Sequence, residues 1–135
     1  MNACSAALLL LLLADTPPPP DAVKAEGPVV IFISPVGPSG DAIRKQMDRL
    51  RDELDKHKVK AIEATPTLIL LGDEDNPRKR VRQVDFRRTP RFAGTLLFVE
   101  SYDPQIRQGL EEDGKLLDRV ASYIGRAKKA KQEEP

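Results

Sequence analysis

The sequence predicts an α/β sandwich in which helices flank a mixed central sheet, in the order strand-helix-strand-helix-strand-strand-helix. Three observations predict it. Two apolar runs, Val29 to Ile33 and Thr67 to Leu71, lack the polar alternation of a half-exposed strand, as strands covered on both faces do. Between them lies a stretch whose apolar residues recur at helical spacing. A third apolar run, Gly94 to Glu100, is followed by a hairpin signal and a second amphipathic stretch. A parallel β-α-β unit followed by a β-β-α unit buries all of these surfaces together.

Bulk properties limit the chemistry. A chain of 135 residues holds one domain with a modest core. Charged residues make up 32% of it but nearly cancel, to a formal net charge of +1, so no global field argues for nucleic acid or an acidic partner. The single cysteine, Cys4, cannot build a disulfide framework, a Cys-rich zinc site or an intramolecular dithiol, and the single histidine, His57, rules out a multi-histidine metal site. No metal and no cofactor is expected.

Residues 1–14 contain six consecutive leucines. This apolar run, of roughly ten residues, falls short of the ~20 that a membrane span needs and suits the core of an export signal. The expectation is a signal peptide or an uncleaved anchor, hence a periplasmic or secreted domain that meets a membrane only through this segment. The alternative is a helix packed on the domain. Residues 15–26, with the run Pro17 to Pro20, read as an extended linker. The domain is then 27–126, and 127–135 is a charged tail expected to fray.

Within the domain, Val29–Ile33 is the first strand and residues 34–40 a Pro/Gly loop. A helix follows over about 41–58, capped by Ser39 or Asp41, with the core stripe Ile43, Met47, Leu50 and Leu54. Glu53 and His57, four apart on it, read as an exposed pair rather than metal ligands. Residues 59–64 fit either a short strand or a ragged helix end. Thr67–Leu71 stops at Gly72 and the acidic turn Asp73 to Asn76, whose spacing lacks the alternation of a calcium loop. Asn76-Pro77 caps a short helix over 78–88 with Val81 and Val84 inward; the competing reading is a strand over 80–86 paired with Thr67–Leu71. Gly94–Glu100, the turn 101–104 and an antiparallel strand over 105–110 form a hairpin. The last helix starts at Asp113-Gly114, with Leu116, Leu117, Val120, Tyr123 and Ile124 apolar, and ends near residue 125.

This order resembles the thioredoxin fold. The family's redox loop reads Trp-Cys-Gly-Pro-Cys between an apolar strand and a long helix; the same frame here is Pro35-Val36-Gly37-Pro38-Ser39. The segment Leu71 to Pro77 resembles the end of the family's next strand and the start of its following helix. Gly94-Thr95-Leu96-Leu97-Phe98 resembles the family's Pro-Thr-Leu-Leu-Phe strand. The likeness spans about residues 28–125. It implies a thioredoxin-like domain in which Val36 and Ser39 replace the redox cysteines, Val30 replaces the buried acid, and Gly94 stands where the family has a cis-proline, unless Pro90 takes that role. Thiol–disulfide exchange needs a thiolate, and the domain's only sulfur is that of Met47, so dithiol oxidoreductase activity is excluded for it.

Other chemistry finds little support. A phosphate loop starting at Gly37 would need Gly, Lys and Ser or Thr where the chain has Ala42, Ile43 and Arg44. Anion binding by the loop N–H groups, with Ser39, Gly40 and Arg44, is the residual form of that reading. Ser39 as a nucleophile would need a base, and His57 lies roughly 27 Å along the same helix at 1.5 Å per residue. The sharpest electrostatic feature is the cluster Arg78, Lys79, Arg80, Arg82, Arg87, Arg88 and Arg91, opposed only by Asp85. It fits either a solvated face or a surface for an anionic or protein partner; no aromatic interleaving suggests nucleic acid. The expectation is a redox-inactive binding or structural module; the alternative is a small α/β enzyme or ligand-binding protein that cradles a phosphate or other anion on Gly37–Gly40.

Overall fold

The computed structural model describes residues 22–73, 81–100 and 102–133. Along the chain run β1 (Val23–Ala25), β2 (Val29–Ile33), α1 (Pro38–Lys56), β3 (Lys60–Ala64), β4 (Leu68–Leu71), β5 (Arg82–Asp85), β6 (Gly94–Phe98), β7 (Gln105–Gln108) and α2 (Asp113–Glu133). The described residues form two sheets rather than the expected one, in the orders β3-β2-β6-β7 and β1-β4-β5.

In the four-stranded sheet β2 lies parallel to β3, with Val29 opposite Lys60 and Ile33 opposite Ala64. It lies antiparallel to β6, with Val29 opposite Phe98 and Ile33 opposite Gly94. β7 closes the hairpin on β6. The pleat then sorts the side chains by parity. Val30, Phe32 and Leu97 face both helices and pack with Ile43, Met47, Leu50 and Leu54 of α1 and with Leu116, Val120 and Tyr123 of α2. Val29, Ile31, Ile33, Leu96 and Phe98 face the other way, onto Ala25, Ile69, Leu71 and Phe86 at the second sheet. The molecule has three layers: helices, four-stranded sheet, three-stranded sheet. That placement explains why every residue of β2 is buried.

Three expectations are corrected here. The helix expected over 78–88 is instead strand β5 within its described part, antiparallel to β4, with Leu71 opposite Arg82 and Leu68 opposite Asp85. Val81 and Val84 suggest a helical step, but Val84 and Phe86 both turn toward the second core, and a spacing of two is a strand's. The linker assigned to 15–26 ends earlier than composition suggests, because Val23–Ala25 forms β1 alongside β4. The tail expected to fray over 127–135 continues α2 as far as Glu133, with Ala127 buried. The segment 1–14 and the Pro17–Pro20 run lie outside the described residues. Among those described, no helix is long and apolar enough to cross a membrane.

The ambiguous stretch at 59–64 is settled by the end of α1. Lys58 N–H donates to the Asp55 carbonyl and Val59 N–H to the Leu54 carbonyl, the paired bonds of a Schellman cap. Its hydrophobic contact is present too, since Leu54 and Val59 share one core cluster. Lys58 takes the left-handed position, at φ 60°. The cap reverses the chain sharply enough for β3 to start at Lys60, beside β2.

Polar contacts fix α2 against its neighbours. The nearly buried Arg119 donates from Nε to Glu111 Oε1 at 3.0 Å, from one terminal nitrogen to Gln105 Oε1 at 3.1 Å and from the other to Thr95 Oγ1 at 2.7 Å. Its start is held by Arg49 of α1, which grips Asp113 through two hydrogen bonds of 2.9 and 3.0 Å.

Candidate functional site

Three connections meet at the end of the four-stranded sheet where the parallel strands β2 and β3 finish. The chain leaves β2 through Ser34 and Pro35 into α1, leaves β3 through Thr65 and Pro66 into β4, and approaches β6 through Pro90 and Arg91. Together Pro35–Ser39, Thr65, Pro66, Pro90 and Arg91 line an open cleft of about 570 Å³. In parallel sheets the carboxyl ends of the strands are the usual place for a ligand, because loops diverge there and helix N-termini point in.

The loop Val36–Ser39, expected at this junction, does border the cleft. Val36 stands almost wholly in solvent, 99% exposed. Gly37 takes φ 121°, a conformation open to glycine, and is the N-cap of α1 without a side-chain hydrogen bond. The helix therefore starts at Pro38, three residues before the expected Asp41, and neither Ser39 nor Asp41 caps it. The fixed φ of proline suits the first helical turn, and Asp41 N–H donates to the Gly37 carbonyl at 3.0 Å. Gly40 is required by packing: a Cβ there would fall 1.6 Å from the Pro35 carbonyl oxygen, so the first turn of α1 presses directly on the loop.

Arg44, read with Ser39 and Gly40 as a possible anion ligand, is already engaged. Its Nε donates to Glu63 Oε1 at 2.7 Å, and it reaches Asp41 at 3.4 Å. The buried Ser34 hydroxyl donates to the same Glu63 oxygen at 3.1 Å. The Arg44 hydrogen bond, aided by Ser34, holds the Glu63 carboxyl below its ordinary range against the opposing effect of burial. This Ser34–Glu63–Arg44 group ties the root of the loop to β3. Only the polar Ser34 at the end of an apolar run hinted at it in the sequence.

The basic cluster is divided. Arg78, Lys79 and Arg80 lie outside the described residues. Arg82 sits at the end of β5 away from the cleft and pairs with Asp103. Arg87 folds back on Asp85, with hydrogen bonds of 2.9 and 2.7 Å, and holds that carboxyl down to about 2. Arg88 and Arg91 are exposed; Arg91 borders the cleft and has no hydrogen-bond or ion-pair partner among the described residues.

Ser39 and His57 mark opposite ends of the continuous helix α1, so no base reaches Ser39 from there. Glu53 accepts from Lys56 Nζ at 3.1 Å, while His57 ends the helix in solvent. Of the acidic turn, only Asp73 is described. Among the described residues, no group of three or more His, Cys, Asp or Glu side chains could hold a metal ion. No described peptide bond is cis, so Pro90 is trans. Gly94 is needed for a different reason: its missing Cβ would lie 2.0 Å from the Arg107 carbonyl oxygen on β7.

Comparisons with protein-family profiles, with curated proteins and with solved structures give no match.

Proposed function

We propose that this chain is a thioredoxin-like domain without redox chemistry, which binds a partner at the cleft between Pro35–Ser39, Thr65–Pro66 and Pro90–Arg91. What supports the likeness is one sheet that joins a parallel β2-α1-β3 unit to an antiparallel β6-β7-α2 unit, with the Val36–Ser39 loop between β2 and α1. The departure is that Thr67–Leu71, expected as the second strand of that unit, lies instead as β4 in a second sheet between β1 and β5, with β3 in its place beside β2 and strand β5 within the span of the expected helix. One observation carries the functional reading. Three loops converge on a cleft whose lining, among the described residues, offers no thiol, imidazole or carboxylate, only five apolar residues, two hydroxyls, a glycine and one arginine. Such a lining is equipped to bind and not to transfer a proton or attack a bond. The leucine run of residues 1–14 extends the proposal to export.

The test uses the full chain with Cys4→Ser, so that no thiol is present. Insulin reduction should stay at background, and peptides selected by display on the chain should lose binding on Val36→Arg, a change at an exposed position. Insulin turnover by the thiol-free chain would contradict the redox part; binding indifferent to Val36→Arg would contradict the cleft.

The alternative, an anion cradle at Gly37–Gly40, draws on one observation: the first turn of α1 has no side-chain cap, so its N–H groups are open to a ligand. Millimolar phosphate should then raise the melting temperature; an unchanged value removes this reading.

A further inference from the structure

We infer that the cleft recognises an extended acidic peptide segment of a partner protein, an inference that rests on the binding role proposed above. Charge complementarity is the reason. Of the carboxylates nearest the loop root, Glu63 is paired with Arg44 at 2.7 Å, while the more exposed Asp41 reaches the same guanidinium at 3.4 Å, so that group keeps one negative charge behind the loop. Asp85, beyond Phe86, is held by Arg87. Arg91 is the one formal charge on the described lining and forms no ion pair with a described residue; with exposed Arg88 it outweighs the single negative charge left behind the loop. Arg88 lies exposed three residues before it, and the uncapped N-terminus of α1 adds partial positive charge on the facing wall, offset in part by Asp41 in its first turn.

The shape of the lining selects the kind of acid. Pro35, Val36, Pro38, Pro66 and Pro90 outnumber Arg91, and a bare anion would leave them uncovered. A ligand with an apolar body and intermittent carboxylates covers both. The prolines also make the groove stiff before anything binds, which lowers the ordering cost of an extended chain. Nucleic acid fits poorly, because among the described residues no aromatic ring lines the cleft for base stacking and one arginine neutralises few phosphates.

The experiment measures fluorescence anisotropy of three labelled octapeptides of one Pro-Val-X repeat, with X as Glu, Gln or Lys, titrated with the full-length chain and with its Arg91→Gln and Arg91→Glu variants. The Glu peptide should bind about tenfold more tightly than the Gln peptide at low salt, an advantage that shrinks as salt screens it. Arg91→Gln should abolish the advantage, and Arg91→Glu should transfer it to the Lys peptide. Equal binding of the Glu and Gln peptides, or a Glu preference that survives Arg91→Glu, overturns the acidic specificity while the cleft reading stands. If none of the peptides binds and display yields none dependent on Val36, the cleft reading itself falls. Tighter binding of oligothymidylate than of any peptide would overturn the peptide assignment in favour of nucleic acid.

Discussion

Arg119 holds a polar junction from a nearly buried position. Its guanidinium joins Glu111, Gln105 and Thr95, so it links α2 to both strands of the β6–β7 hairpin. Both members of the Arg119–Glu111 pair are close to fully buried, 11% and 9% exposed. Removing Arg119 leaves the nearly buried Glu111 with only the exposed Arg107, 3.6 Å away, at a cost of about 3 kcal/mol. Arg119→Met should therefore lower the urea midpoint by that equivalent, and Arg119→Met combined with Glu111→Leu should recover part of it. A single-variant loss below about 1 kcal/mol would contradict the assignment.

Tyr123 makes a pH prediction at the same scale. Burial, the largest cause, raises its phenol to about 12 from an ordinary 10.0, while its hydroxyl donates to the Asp103 carbonyl. A raised acid pKa means that the folded state favours the neutral form. The contribution is fully present below the unfolded value and is lost as pH rises through the folded one. Stability should thus fall between about pH 10 and 12, and Tyr123→Phe should flatten that limb of the curve. Unchanged alkaline sensitivity in Tyr123→Phe would refute it.

Elements, next, depend on their ends. α1 stops through a Schellman cap with Lys58 in the left-handed position that glycine adopts more readily. Lys58→Gly should raise stability by about 0.5–1 kcal/mol, because the relief of the Cβ clash exceeds the extra chain entropy of glycine; thermal melting decides the sign. β1 makes a sharper prediction. It pairs Val23 with Ile69 and Ala25 with Leu71 and covers one edge of β4, the other edge being held by β5. Of two truncated chains, one starting at residue 22 and one at 27, the shorter should lose about 2 kcal/mol in main-chain bonds and apolar burial. Equal stability of the two would restore the linker boundary at 26.

On the scale of the whole molecule, what the sequence revealed follows from what local pattern encodes. β2, β4 and β6 were legible because burial on both faces leaves an unbroken apolar run, and α1 because Ile43, Met47, Leu50 and Leu54 fall at helical spacing. The second sheet was not. An apolar run reports that both faces of β4 are covered but not by what, and β1 has only three residues, one of them charged and exposed. β5 misled because Val81 and Val84 fit a helix, while the Val84–Phe86 step acquires meaning only beside β4. At the candidate site the loop Val36–Ser39 was visible as a Pro/Gly junction. Its two other walls, Thr65–Pro66 and Pro90–Arg91, come from distant segments that only the folded sheet brings together. Ion pairing was equally hidden, so Arg44 read as free when it is held by Glu63.

The central claim, that this cleft is the binding surface of a domain without redox chemistry, is tested most directly by amide NMR of the labelled full-length chain titrated with peptides selected on it without bias. Shift changes should be confined to residues 34–40, 65–67 and 88–92. Changes centred elsewhere, for instance on the groove between α1 and α2 beside His57, Ala121 and Gly125, would contradict it.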